Sequence, residues 1–466
     1  MPVIAKTSFI DVPTLKNLIK GSVPSDSEVK TLLEKARKLK GLSLEEASIL
    51  LRIESTTQLQ ELLETAGYVK EEIYGRRLVI FAPLYTGNTC TNNCLYCAFR
   101  QDNETLTRVT LTQKQIEKET RALIQDGHKR LLMLCGESAD IPLDYFLESI
   151  RTVYGVKEGR SGIKRINVEI APLDVEGFRR LKEEKIGTYI CFQETYDPVV
   201  YAQAHVSGQK ADYLWRLEVM DRAMEAGIED VGIGALFGLG DWKFELLGLL
   251  SHARHLETKF GCGPHTVSVP RLEPADNAPL SQVVPHPVSD QDFKKIVAIL
   301  RITLPYAGII LSTRENEELR TDLFRYGISQ ISAGSRTDPG AYAREDGEVA
   351  AGGQFSLGDH RSLHEVISSL IDEEYVPSFC TGCYRKGRIG ADFMDLAKPG
   401  LIKKFCLPNG LFSFKEYLLD FAPEEIREKG LKLIEKMVKI IPEEKVKARA
   451  VKGLAEVEGG GRDVYY

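Results

Sequence analysis

Residues 78–100 read LVIFAPLYTGNTCTNNCLYCAFR: an apolar, β-branched run closing on a glycine, followed at once by Cys90, Cys94 and Cys97. The first half has the continuous apolar character of a strand buried on both faces, the kind that parallel sheets use. Similar runs recur along the chain: RLLMLCG (130–136), INVEIAP (166–172), TYICFQE (188–194), VGIGALFG (231–238), HTVSVPRL (265–272), GIILSTRE (308–315) and ISQISAGS (328–335). Stretches of helical period lie between them, and Leu214, Leu217, Met220 and Met224 mark one helical face between the fourth and fifth runs. Eight strands alternating with helices predict an α/β fold, a (β/α)8 TIM-type barrel. An open doubly wound sheet shares this alternation. In a barrel, chemistry collects where strands end and in the loops that follow. The sequence places Cys90, Glu137, Gln193, Glu194, Arg271, Thr313 and Arg314 there.

The barrel is expected over residues 76–340 of the 466. Residues 1–75 form a helical extension, with Ser43 and Glu46 spaced as a capping box and Asp26–Leu39 amphipathic. Residues 341–466 form a mostly helical extension. It starts in the Gly-rich, charged Gly340–Gly353 and continues through a helix at Ser362–Ile371 and a Cys-rich turn from Cys380. Helices follow at Pro423–Ile441 and from Pro442 onward, and the tail EGGGRDVYY (458–466) is expected to be loosely ordered. Apolar residues make up 43% and charged residues 27%, which excludes disordered and fibrous classes. Lys and Arg total 61 against 67 Asp and Glu, so nothing points to nucleic acid or an anionic membrane. MPVIAKTSFIDV lacks a signal-peptide layout and no apolar run could span a bilayer, so a cytoplasmic protein is expected. Nine cysteines in such a chain favour metal ligation or redox chemistry over disulfides.

Three thiols spaced CxxxCxxC on one loop cannot all pair with one another. A structural zinc site wants four ligands, and no histidine is near in sequence. A 4Fe–4S cubane held by three cysteines keeps one iron open for an outside ligand. Three inert buried cysteines, or zinc with a distant fourth ligand, are the alternatives. The segment TCTNNCLYCAFR, with Tyr96 before its third cysteine, resembles the radical S-adenosylmethionine signature. That resemblance implies that the open iron chelates S-adenosylmethionine and that an electron from the cluster releases a 5′-deoxyadenosyl radical. Gly136-Glu137 resembles the superfamily's motif for the methionine amino group, with Cys135 in place of its first glycine, and VGIGALFG resembles the stretch beside the adenine.

A second trio, Cys380, Cys383 and Cys406, again lacks a fourth cysteine; His360 and His364 upstream leave zinc open as a reading. Two such trios flanking a barrel, with QETY (193–196), SVPRL (268–272) and CYRKGRIG (383–390), resemble the HydG family of FeFe-hydrogenase maturases over nearly the whole chain. The 2-iminoacetate synthases of thiamine synthesis share the barrel but lack the second cysteine motif. Membership implies a radical lyase that cleaves the Cα–Cβ bond of L-tyrosine to p-cresol and dehydroglycine. The fragment would then give carbon monoxide and cyanide at an auxiliary 4Fe–4S cluster, for the hydrogenase active site. It also implies an extra iron held partly by a histidine, for which His265 is the candidate, a ferredoxin- or flavodoxin-type electron donor, and other hydrogenase maturation proteins as partners. The substrate carboxylate calls for a bidentate donor, Arg271 or Arg314, although a structural ion pair is an equal reading for each. Gln193, Glu194 and Thr313 are candidate contacts to ribose or substrate, and Tyr384, Arg385 and Arg388 are expected to shape the second cluster's surroundings. Cys135, Cys191 and Cys262 read as small hydrophobes.

Overall fold

The computed structural model describes residues 8–344 and 350–466, so MPVIAKT and residues 345–349 of the Gly-rich segment lie outside it. The eight strands follow the eight apolar runs: β1 Arg77–Gly87, β2 Arg130–Cys135, β3 Arg165–Glu169, β4 Tyr189–Glu194, β5 Val231–Ala235, β6 Thr266–Ser268, β7 Gly308–Leu311 and β8 Gln330–Ser332. All pair in parallel, and β1 closes the ring by pairing with β8 through Val79–Phe81 and with β2 through Ala82–Gly87. The closed ring excludes the open-sheet alternative. Each strand is almost wholly buried, which is why the runs are continuous rather than alternating.

Helices Asp26–Ala36 and Leu44–Leu50 both start with capping boxes, Ser25 with Glu28 and Ser43 with Glu46. Helix Thr56–Tyr74 packs on helices Asp290–Thr303 and Glu317–Tyr326 of the barrel's outer ring. Between β4 and β5 the single helical face resolves into two helices, Tyr213–Leu217 and Val219–Glu225, meeting at Glu218.

The C-terminal region departs from expectation in three places. A ninth strand, β9 Val376–Ser378, pairs with Arg77–Val79 at the start of β1. Its three residues carry a central proline, too short and too irregular to register as a periodic signal. Helix Lys403–Asp420 went unseen because it contains Pro408 and is buried on most sides, so it shows no amphipathic stripe. The tail, expected to be loose, is tied down. Arg462 pairs with Asp420 at 2.6 Å, the Val464 amide donates to Glu416, and the Tyr466 amide donates to Asn409 Oδ1 at 2.9 Å. Polar, Gly-rich composition says little where a buried helix supplies partners for the Val464 and Tyr466 amides and the Tyr466 carbonyl.

This region sits against the N-terminal end of the barrel. Arg130 Nη1 donates to the Cys380 carbonyl at 2.6 Å, Lys129 pairs with Glu416, the Tyr384 hydroxyl donates to the Lys185 carbonyl and the Gly390 amide donates to Asp230. Residues 129, 130, 185 and 230 all lie at or just before strand starts. The two cysteine trios therefore occupy opposite mouths of one barrel.

Candidate functional site

At the C-terminal mouth, the loop after β1 brings Cys90, Cys94 and Cys97 to the wall of one cavity. The loop is pinned from three sides. The Thr91 amide donates to the Glu137 carbonyl at 2.8 Å, the Leu95 amide to the Ala204 carbonyl at 2.9 Å, and the Leu280 amide to the Leu95 carbonyl at 2.9 Å. Gly136 is required here: a side chain at that position would collide with the Thr89 carbonyl and the Cys90 side chain. Burial pushes all three thiols up, Cys97 to about 11, so a cation must offset their charge before they ionise. Three free, soft sulfur donors at one cavity wall suit an iron–sulfur cluster. Tyr96 also lines the cavity, and its hydroxyl lies 2.9 Å from His205 Nε2. His205 Nδ1 is 2.8 Å from the Tyr201 carbonyl, which can only accept, so Nδ1 carries the proton and Nε2 accepts from Tyr96. Burial pulls this imidazole down to about 3 and keeps it neutral.

A network of buried charges lies beside the thiols. Glu194 stands at the end of β4 with a left-handed φ of 68°, an uncommon backbone setting for a glutamate. Lys210 Nζ is 2.7 Å from it, and Arg216 is 3.1 Å from Glu137 and 3.9 Å from Glu194. Burial would raise Glu194, but Lys210 and Arg216 hold it below the ordinary carboxylate value. Deeper in, the wall turns apolar with Phe81, Ile190 and Ile310, joined by Leu132 and Phe192. Gly234 on β5 leaves room for the Phe192 ring, which a Cβ would crowd at 2.7 Å. The cavity thus offers sulfur, paired charge and an aromatic-sized apolar floor.

At the N-terminal mouth, Cys380 follows β9, Cys383 sits in the short helix Gly382–Arg385, and Cys406 is on helix Lys403–Asp420. The neighbouring Cys406 side chain lowers Cys383, and Cys383 together with burial raises Cys406. Cys380 Sγ accepts from the Gly382 amide at 3.2 Å. Arg77, Arg130 and Arg388 gather around these sulfurs, each with a buried, unpartnered Nε. Burial alone would lower Arg77, yet the sulfurs of Cys406 and Cys380 hold it above its usual value. Orphaned guanidinium donors around three thiols suit an anionic thiolate-ligated cluster. His265, at the start of β6, packs on Phe393 at 4.4 Å and sits 3.5 Å from Asp230, with burial lowering its pKa. A strand-six start therefore does face the C-terminal region. His364, by contrast, hydrogen-bonds the Tyr417 hydroxyl and lines a separate pocket with His360, Asp126 and Arg336, away from Cys380 and Cys383. Among the described residues no three His, Cys, Asp or Glu side chains converge on a single-ion site.

Residues 84–249 match the Radical SAM superfamily and residues 268–376 the Biotin and Thiamin Synthesis associated domain. A crystal structure of HydG, a maturase of the [FeFe]-hydrogenase, superposes with a TM-score of 0.94 at 45% identity, covering 98% of this chain and all of that one. HydG from Carboxydothermus hydrogenoformans superposes at 0.82, also at 45% identity, over 95% of this chain and 97% of its own. The chain belongs to the HydG family of radical SAM maturases. It is also 32% identical to 2-iminoacetate synthase of Salmonella typhimurium over 343 residues, 72% of this chain and 87% of that one. Membership in the radical SAM superfamily implies a 4Fe–4S cluster and S-adenosylmethionine.

Within this HydG-family barrel, Tyr96, Gly136, Glu137, Glu194, Thr313 and Arg314 line the same cavity as the first trio. Arg271 does not. Its guanidinium is taken by Glu315 and, at 2.7 Å, by Asp290, and it also donates to the Val288 carbonyl. Expected as a carboxylate binder, it is a structural ion-pair partner, because Glu315 two residues past Thr313 reaches it first. Gln193 is buried outside the cavity wall, with both side-chain amide atoms unpartnered. Cys135, expected to be a plain core residue, lines the cavity, while Cys191 and Cys262 are buried. Arg388 is beside Cys383, whereas Tyr384 lies against Arg165 and Arg385 pairs with Asp463 of the tail. Sequence reasoning missed Lys210 and Arg216, which carry no motif, and Arg77 and Arg130, which sit at strand starts where a barrel rarely does chemistry. It also missed Glu169, although a charged residue ending a buried strand was a usable signal.

Proposed function

We propose that this HydG-family enzyme cleaves the Cα–Cβ bond of L-tyrosine to p-cresol and dehydroglycine at the C-terminal mouth, and that the fragment yields carbon monoxide and cyanide at the N-terminal mouth, for assembly of an FeFe-hydrogenase active site. The observation that supports this most is the pair of three-cysteine sites at opposite ends of one closed barrel. Cys90, Cys94 and Cys97 would hold the first 4Fe–4S cluster, which with bound S-adenosylmethionine supplies a 5′-deoxyadenosyl radical. Cys380, Cys383 and Cys406 would hold an auxiliary 4Fe–4S cluster, with His265 as a ligand to an extra iron. Glu137 and Gly136 would receive the methionine end, and Glu194 and Tyr96 the remainder of S-adenosylmethionine, while Gln193, set behind the cavity wall, would make no direct contact. Arg314 would bind the tyrosine carboxylate and Thr313 would make a neighbouring contact. The apolar floor formed by Phe81, Ile190 and Ile310 excludes water from the reacting centre and orients one substrate bond.

In this reading residues 1–75 buttress the barrel of residues 76–340, and residues 341–466 carry the auxiliary site. The enzyme works in the cytoplasm with a ferredoxin- or flavodoxin-type donor and other hydrogenase maturation proteins. No helix among the described residues is long and apolar enough to cross a membrane. The 32% identity to 2-iminoacetate synthase favours a second reading, tyrosine lysis alone. Anaerobic reconstitution with iron and sulfide, followed by dithionite, S-adenosylmethionine and L-tyrosine, separates the two. We expect p-cresol, carbon monoxide and cyanide. p-Cresol without carbon monoxide and cyanide would favour the second reading, and no p-cresol would end both.

A further inference from the structure

Three glutamates line the C-terminal cavity, and they are not equivalent. Glu137 is bound by Asn92 and Arg216, and Glu194 by Lys210 and Arg216. Glu169, at the end of β3, makes no hydrogen bond or ion pair among the described residues, though it is nearly surrounded by protein. A buried carboxylate facing a cavity with no protein donor is costly unless something else supplies one. One cation in the cavity is in the same position. Arg314 lies flat on the Phe355 ring at 3.3 Å, and its guanidinium has no hydrogen-bond or ion-pair partner among the described residues. An unpartnered anion and an unpartnered cation share one cavity above an apolar floor.

We propose that Glu169 binds the α-amino group of the amino-acid substrate while Arg314 takes its carboxylate, so that the cavity selects a zwitterion carrying an aromatic side chain. The proposal rests on the tyrosine reading above and names the residue that recognises the amine. Charge-assisted hydrogen bonds of this kind discriminate by about tenfold to a hundredfold when one partner is removed. Glu169 faces Tyr85 from β1, Glu194 from β4, Lys210 from the turn after it, Arg216 from helix Tyr213–Leu217 and Arg314 from the loop after β7. Burial, and then the Glu194 charge, push its carboxyl up to about 7, with the three cations opposing. It is therefore ionised, and able to hold an ammonium group, only near and above neutral pH.

The test is calorimetric binding to the reconstituted full-length protein, with S-adenosylmethionine present and reductant absent. L-Tyrosine is compared with 3-(4-hydroxyphenyl)propanoate, which lacks only the amine. Wild-type protein should prefer tyrosine, and its Kd for tyrosine alone should weaken below pH ~7. Glu169→Gln should lose about tenfold to a hundredfold on tyrosine, lose nothing on the propanoate and show no such pH dependence. Glu169→Asp should recover part of the loss. Equal weakening of both ligands, unchanged tyrosine binding, or weakened S-adenosylmethionine binding would overturn the assignment. Wild-type protein that binds both ligands equally would also overturn it, and that result needs no variant to fold. Wild-type protein that binds neither would instead remove the tyrosine reading itself.

Discussion

The two mouths of the barrel present the same number of cysteines in different electrostatic settings. At the C-terminal mouth the charges are mixed and mostly paired, Glu137 and Glu194 against Lys210 and Arg216, and an apolar floor lies beneath. At the N-terminal mouth Arg77, Arg130 and Arg388 crowd the sulfurs with unspent donors. The first arrangement suits a small molecule carrying both signs of charge; the second suits an anionic group and its anionic products. The location of the second is itself informative. Barrel enzymes place their chemistry at strand ends, and residues at strand starts ordinarily serve stability. Here the C-terminal region packs against the strand starts and gathers three further cysteines and three arginines at that face.

The two mouths differ most in what their cysteines do. Cys94→Ala should abolish both 5′-deoxyadenosine and p-cresol, whereas Cys383→Ala should keep p-cresol and lose carbon monoxide, each followed by chromatography and a haemoglobin assay. Equal loss of everything in both variants would mean the mouths do not divide the work. The union of barrel and C-terminal region is tested by Lys129, whose buried pair with Glu416 spans the junction. Lys129→Met leaves that carboxylate buried without its cation and should cost about 3–5 kcal/mol in denaturant unfolding. Next in size, Arg77→Met should lower iron and sulfide retained after reconstitution severalfold by uncovering the second trio's charge. Lys210→Met should leave the iron held by that second trio unchanged, as measured in a Cys94→Ala background.

Smaller effects separate buried from exposed charge at the first mouth. Glu245, hydrogen-bonded to the Tyr196 amide and the Thr195 hydroxyl behind β4, is pushed up to about 8 by burial. Its folded value lies above its unfolded one, so the folded state binds the extra proton and stability falls as pH rises from about 4.5 to 8. The slope is at most about 1.4 kcal/mol per pH unit. Glu245→Gln should flatten that slope in thermal unfolding between pH 6 and 8. Smallest of all, Asp290→Asn removes the exposed partner of Arg271 and should cost under about 1 kcal/mol in the same assay, because Glu315 still holds the guanidinium.

Much of the fold was legible because it rests on local patterns. Strands buried on both faces must be continuously apolar, so all eight could be read, and the Ser43–Glu46 capping box and the amphipathic Asp26–Leu39 run announced their helices. The spacing of the first cysteine trio was equally local, since a loop of fixed length fixes which sulfurs share a cavity wall, whereas Cys406 joins Cys380 and Cys383 only through the helix Lys403–Asp420. What stayed hidden depended on neighbours distant in sequence. Arg271 is spent on Glu315 and Asp290, Lys210 reaches Glu194 from a loop without a motif, and the tail is ordered by Asn409, Glu416 and Asp420 on a helix masked by Pro408.

The chain's own order of residues thus determined a parallel barrel and the cysteine motifs CxxxCxxC and CxxC, since periodicity and short spacing are properties of adjacent positions. Only the tertiary structure decided that the two cysteine trios lie at opposite mouths and that His265 faces the second region. It also decided that, of the charges lining the C-terminal cavity, Glu169 and Arg314 are left without hydrogen-bond or ion-pair partners among the described residues. Whether a buried charge is free or spent is settled by what folding carries within a few ångströms of it, and no one-dimensional pattern records that distance.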